Sequence, residues 1–240
     1  ALSMLTTDKE PQRFFADKAA MVSATMCPTD LNPYSQGLCQ PPPWIDMVVD
    51  FDRVKDFPGH FYLSAYSLTQ KSTVAFPKDQ INTEHFKAAL AMPFIYSPYT
   101  IGNETFIEGS AVDTLNWESV IDCHNGPIST AVGFDVLGTN KLIREPRSLY
   151  DAWVLSIIIP LVKLAQLDTE VFKKITERER RKNTTPLLLD WTDLVPEDHW
   201  PYVLDWSYSN LSKLFDIGQE AGERFYHKHK AALAGGKKAA

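Results

Sequence analysis

Cysteine is scarce in this chain: Cys27, Cys39 and Cys123 form an odd set among 240 residues, with neither a C-x-x-C pair nor a Cys/His metal spacing. That argues against a disulfide framework, and the thiols read as free side chains in a reducing compartment, consistent with a cytoplasmic protein. Positive charge is also in short supply. A net charge of -6 argues against general nucleic-acid binding, which needs a basic surface to neutralise phosphates. Long hydrophobic runs are missing too. The longest apolar stretch, Ala152 to Leu167, is interrupted by Pro160 and Lys163, so a buried or interfacial helix is expected rather than a membrane span. The opening residues, ALSMLTTDKEPQRFF, lack the basic segment and apolar core of a signal peptide.

Glycine is short where hydrolase chemistry would use it. No G-x-S-x-G occurs, and the adjacent glycines Gly235 and Gly236 lie in an Ala/Lys-rich tail, so neither a nucleophile elbow nor a Gly-rich oxyanion loop is expected from these residues. Residue 1 is Ala, which has no hydroxyl or thiol to act as an N-terminal nucleophile. His227 and His229 stand two apart near a Lys-rich end, and a solvated helix end is the expectation there, not a metal site.

What is present is the composition of a soluble globular domain, 44% hydrophobic and 22% charged, and we read residues 1–240 as one domain with a real core. Residues 1–43 form an irregular, lid-like lead-in, with five prolines between Pro28 and Pro43. Residues 44–138 hold the sheet, and 139–240 a helical remainder. WIDMVVDFDRVKDF carries apolar residues at helical spacing up to Pro58-Gly59. HFYLSAYS (60–67) and STVAFP (72–77) read as short buried strands. Asn82 or Thr83 caps a helix over EHFKAALAM that Pro93 closes.

Gly102-Asn103 falls between two β-rich runs and predicts a hairpin. ISTAVGFDVLG (128–138) reads as another buried strand, followed by helices over 147–181, broken or kinked at Pro160, and about 206–233. Helix and buried strand in alternation predict an α/β sandwich with a mostly parallel sheet.

The predicted hairpin delivers the chain to Glu108-Gly109-Ser110. A carboxylate on rigid structure, followed by a glycine that permits close backbone approach, suits a general base. Ser110 is two residues away on the same turn. Side chains at i and i+2 seldom reach each other across a bend, so Ser110 is not expected to pair with Glu108 as its nucleophile.

The order of these segments resembles the C-terminal portion of the patatin-like phospholipase family, a family of serine acyl hydrolases. A strand and a hairpin are followed by a helix ending Lys87-Ala88-Ala89-Leu90-Ala91-Met92-Pro93, then Thr100-Ile101-Gly102-Asn103-Glu104-Thr105-Phe106, then Glu108-Gly109-Ser110 where the family carries Asp-Gly-Gly or Asp-Gly-Ala. DLNPYSQGLCQPPPWIDMVVDFDRV upstream and LDWSYSNLSKLFDIGQEAGERF downstream are similar to a bacterial branch, so the resemblance runs over roughly residues 28 to 230.

The resemblance implies a three-layer α/β/α sandwich, incomplete without N-terminal strands, and ester hydrolysis by a Ser-Asp dyad without metal or cofactor. It makes Glu108 the base, with Gly109, Ser110 and Asn116 as turn residues of the motif. Three departures accompany it. Glu replaces Asp and is one methylene longer; Trp117 stands where the family has Pro, and Ser110 where it has a small Gly or Ala; and the nucleophile elbow is not in this sequence. One reading supplies the serine from a separate N-terminal polypeptide that carries G-x-S-x-G and the oxyanion loop, with a lipid or other acyl ester as substrate and peripheral contact with a membrane. The other makes the chain an inactive relative that binds a lipid or a protein. An unrelated α/β domain is the third.

Overall fold

A computed structural model describes residues 45–93, 96–123, 128–136, 143–178, 184–196, 199 and 208–234. The lead-in expected over 1–43 lies outside the described residues, as do Cys27, Cys39 and the glycine pair at 235–236. The chain is mixed α/β and divides into two compact units, Ala1–Asp113 and Thr114–Ala240.

In the first unit, α1 (Ile45–Val48) and α2 (Phe51–Lys55) replace the single helix predicted for this stretch. The break is Asp50, whose extended backbone (φ -87°, ψ 97°) ends one helix while its carboxylate accepts the Arg53 N–H and starts the next. Strand β1 (Tyr62–Ser67), β2 (Ser72–Pro77), β3 (Tyr99–Ile101) and β4 (Glu104–Glu108) form a sheet in the order β2-β1-β4-β3.

Every pairing in this sheet is antiparallel, which corrects the expectation of a mostly parallel sheet. The reason lies in the connections. Leu68 to Lys71 is a tight turn, with Lys71 in the left-handed region (φ 59°) and its N–H donating to Ser67 O at 2.8 Å. A parallel crossover needs a dozen or more residues, so strands joined this closely can pair only as a hairpin. Gly102 (φ 60°) turns the predicted β3–β4 hairpin.

Helix α3 (Thr83–Ala89) is capped by Asn82, whose side chain accepts the N–H groups of Glu84 and His85. It covers one face of the sheet, where Ala65, Phe76, Ile81, Ala88 and Phe106 form the core. Phe106 meets Phe76 edge-on, with ring centroids 5.7 Å apart.

The second unit contains α4 (Trp117–Cys123), β5 (Thr130–Asp135), α5 (Leu149–Arg178), β6 (Thr185–Asp190) and α6 (Tyr208–Ala234). Here a parallel pairing does occur, but with a strand inside the stretch expected to be a helical remainder: β5 runs parallel to β6, from Thr130 opposite Thr185 to Asp135 opposite Asp190. Long α5 supplies the crossover that such a pair needs.

Helix α5 continues past Pro160, which sits on its exposed side. Leu155, Ile158, Val162, Ala165, Thr169, Phe172 and Thr176 are buried, alternating steps of three and four that draw one stripe along the helix. The opposite side leaves Ile159, Leu167 and Val171 exposed. By length and composition alone α5 could cross a membrane, a test that the central helix of a globular core also passes.

Trp117 anchors this unit at 3% exposure. Its indole stacks on Phe172 (centroids 4.5 Å apart, planes 26° apart), and its Nε1–H donates to Thr169 Oγ1 at 3.4 Å. The third wall is Gly133, where an added Cβ would lie 2.6 Å from Trp117 Cζ2 and 3.1 Å from Leu188 Cδ2. Gly133→Ala therefore forces the indole from its place, and we expect a loss of about 1–3 kcal/mol in urea unfolding.

Candidate active site

Period-two alternation puts Glu104, Phe106 and Glu108 of β4 on one face of the sheet. That face is the one covered by α3, since Phe106 belongs to the core and Ala65, fully buried, is the register partner of Glu108. Glu108 is the last residue of the strand. Its N–H donates to Ala91 O at 3.1 Å, tying the strand end to the segment that follows α3. The carboxylate thus stands at the edge of an apolar core, and burial pushes its pKa above the ordinary glutamate value.

Gly109 opens a 3-10 turn, Gly109–Ala111, with Val112 N and Asp113 N both donating to Gly109 O, at 3.0 and 2.9 Å. Gly109 is buried against β1, and a Cβ there would lie 3.4 Å from the carbonyl carbon, carbonyl oxygen and hydroxyl of Ser64. A Cβ at that distance would be in ordinary van der Waals contact, so the packing at Gly109 does not by itself require glycine.

The turn also brings Ser110 back over Glu108. Ser110 Oγ donates to Glu108 Oε1 at 2.7 Å, which corrects the expectation that these side chains would not meet. In an extended segment residues i and i+2 point the same way, and the tight 3-10 turn that begins at Gly109 closes the remaining distance. The hydrogen bond to Ser110 acts against burial and lowers the carboxyl pKa, but desolvation dominates. The legible signal was a carboxylate immediately before a Gly-Ser turn, where a hydroxyl in the first turn can fold back on it.

Asn116 belongs to the second unit. It precedes α4 with φ 50°, a left-handed conformation that Asn adopts more readily than most residues. The turn around it is held to α5: Leu115 N–H donates to Asp168 Oδ2 at 3.4 Å, and Thr114 Oγ1 donates to Leu161 O at 3.5 Å. Trp117, which follows, is the first residue of the helix, a position where Pro is otherwise favoured. Its indole is buried in the core of the second unit.

Sequence reading also passed over Asp135 and Asp190, register partners at the carboxyl ends of the parallel pair. Asp190 Oδ1 is engaged by the Thr192 N–H at 2.8 Å and the Thr192 hydroxyl at 2.6 Å, which starts the next turn. Among the described residues no group of three or more His, Cys, Asp or Glu side chains is arranged to hold a metal ion.

Chemically, the first unit offers one carboxylate with raised proton affinity, fixed at a strand end and bonded through one oxygen to a serine. A carboxylate can accept further hydrogen bonds at its second oxygen, and such a group can take a proton from a hydroxyl nucleophile. No protein-family model matches the chain, and no curated protein matches it.

Proposed function

We propose that the chain is the base-contributing part of a patatin-like lipid acyl hydrolase, with Glu108 as the base and the nucleophilic serine on a separate N-terminal polypeptide that carries G-x-S-x-G and the oxyanion loop. The observation that carries this reading is the setting of Glu108, a core-edge carboxylate whose pKa is raised by burial. A base works best when its pKa approaches the working pH. The partner's serine attacks the ester carbonyl while Glu108 takes the hydroxyl proton and passes it to the departing alcohol. Water then attacks the acyl-serine, giving its proton to Glu108, which returns it to the serine.

The finer architecture, a three-layer sandwich completed by the partner's strands, belongs to this reading. In its favour, β5 and β6 pair only with each other among the described residues, whereas parallel sheets occur as larger assemblies covered on both faces. The exposed Ile159, Leu167 and Val171 of α5 suit peripheral contact between a cytoplasmic protein and a membrane carrying its substrate.

A second reading draws on the Glu108–Ser110 bond itself. A carboxylate satisfied within its own turn needs no outside serine, and the chain then serves as an inactive module that binds a lipid or a protein. Mass spectrometry of the native particle, with fluorophosphonate labelling, separates the two. We expect a copurifying polypeptide labelled at the serine of G-x-S-x-G. A single unlabelled species of this chain's mass rejects the hydrolase and leaves the binding module.

A further inference from the structure

Glu108 is one methylene longer than the Asp of the family that the sequence resembles, and Ser110 places a hydroxyl where that family has a small Gly or Ala. The structure joins them by one short hydrogen bond, Ser110 Oγ to Glu108 Oε1 at 2.7 Å. We propose that Ser110 is a positioning residue for Glu108, drawing the longer side chain back over its own turn so that Oε2 stands where a shorter aspartate would present its oxygen; this rests on the hydrolase reading above.

The physical need is clear. A glutamate has one more rotatable bond than an aspartate, and a displacement of about 1 Å at a reacting atom can cost ~100-fold in rate. Ser110 removes that freedom through the turn that already holds it: Gly109 is packed on Ser64 of β1, and Glu108 N–H is fixed to Ala91 O. Among the described residues Ser110 is the hydrogen-bond partner of this carboxylate. It occupies one oxygen and leaves the other to receive the serine proton. The two substitutions therefore form one device, and they should be coupled in a double-mutant cycle.

The test uses the native particle with p-nitrophenyl butyrate as probe, and a 13Cδ-glutamate titration of the full chain by NMR. Ser110→Ala should lower kcat by roughly 10- to 100-fold, move the acid limb of the kcat/KM profile to higher pH, and move the Glu108 titration in the same direction. Ser110→Thr should restore all three. Glu108→Asp should lose activity beside Ser110 and regain part of it in the Glu108→Asp/Ser110→Gly double variant. A wild-type kcat and an unmoved acid limb in Ser110→Ala, with Glu108→Gln inactive, overturn the positioning role and leave the hydrolase reading standing. Full activity in Glu108→Gln, or a particle with no esterase activity, overturns the hydrolase reading. In that case an unmoved Glu108 titration in Ser110→Ala would remove the bond as well.

Discussion

Glu108→Gln should lower esterase turnover of the complete assembly by about 10²- to 10⁴-fold, the range that a positioned general base supplies, while the chain folds as before. Gln has nearly the same shape and keeps a carbonyl oxygen to accept the Ser110 hydroxyl, so the turn at Gly109 survives. What disappears is the capacity to hold a proton. Burial raises the pKa of the Glu108 carboxyl above its unfolded value, so the folded chain binds this proton more tightly than the unfolded chain does. The stability it contributes is full below the unfolded pKa and is lost as pH rises through the folded one.

At alkaline pH, therefore, Glu108→Gln should unfold at a urea concentration equal to or above that of the parent, and the difference should shrink as the pH falls. Loss of activity combined with unchanged or higher stability marks a residue kept for chemistry. Unchanged turnover would sink the assignment of Glu108 as base.

Trp117→Ala should be the most damaging single change to stability in the second unit, at about 3–5 kcal/mol. The indole is the shared surface of Phe172, Thr169 and Gly133. Removing it opens a cavity that β5 and α5 around it close only in part. The change also offers a sharper check than its size. Gly133→Ala is costly because its methyl meets the indole, so in the Trp117→Ala background the same methyl should fill space and its penalty should shrink or reverse. Additive urea-unfolding energies for the two changes would contradict the packing described here.

Most of the first unit was legible in the sequence because its signals are local. Asn82 before a helix, Gly102-Asn103 between apolar runs and the strands at 62–67 and 72–77 each depend on a few neighbouring residues, and the structure places them within a residue or two. The direction of the sheet was not legible by the same route. HFYLSAYS looks continuously apolar, yet only Ala65 and Ser67 of β1 are fully buried, and the turn that makes the hairpin, Leu68 to Lys71, contains neither Gly nor Pro.

Strand β6 was missed for a related reason: Pro186 and three consecutive leucines carry no alternation, and the segment becomes a strand through its partner β5. At the candidate site, position and residue type pointed to Glu108, whereas its contact with Ser110 depends on how tightly the chain turns after Gly109. Backbone curvature of that kind is not written in residue spacing.

The parallel pair also sets the order in which the molecule can assemble. Hairpins β1–β2 and β3–β4 close across a few residues, so they can form early and in any order. Pairing β5 with β6 closes a loop that includes all of α5, and joining β1 to β4 closes one that includes β2, α3 and β3. Loop closure of that length slows folding without adding greatly to its equilibrium cost. A refolding experiment should therefore register the two hairpins before the β5–β6 pair, and substitutions along the buried stripe of α5 should change the rate of the later phase.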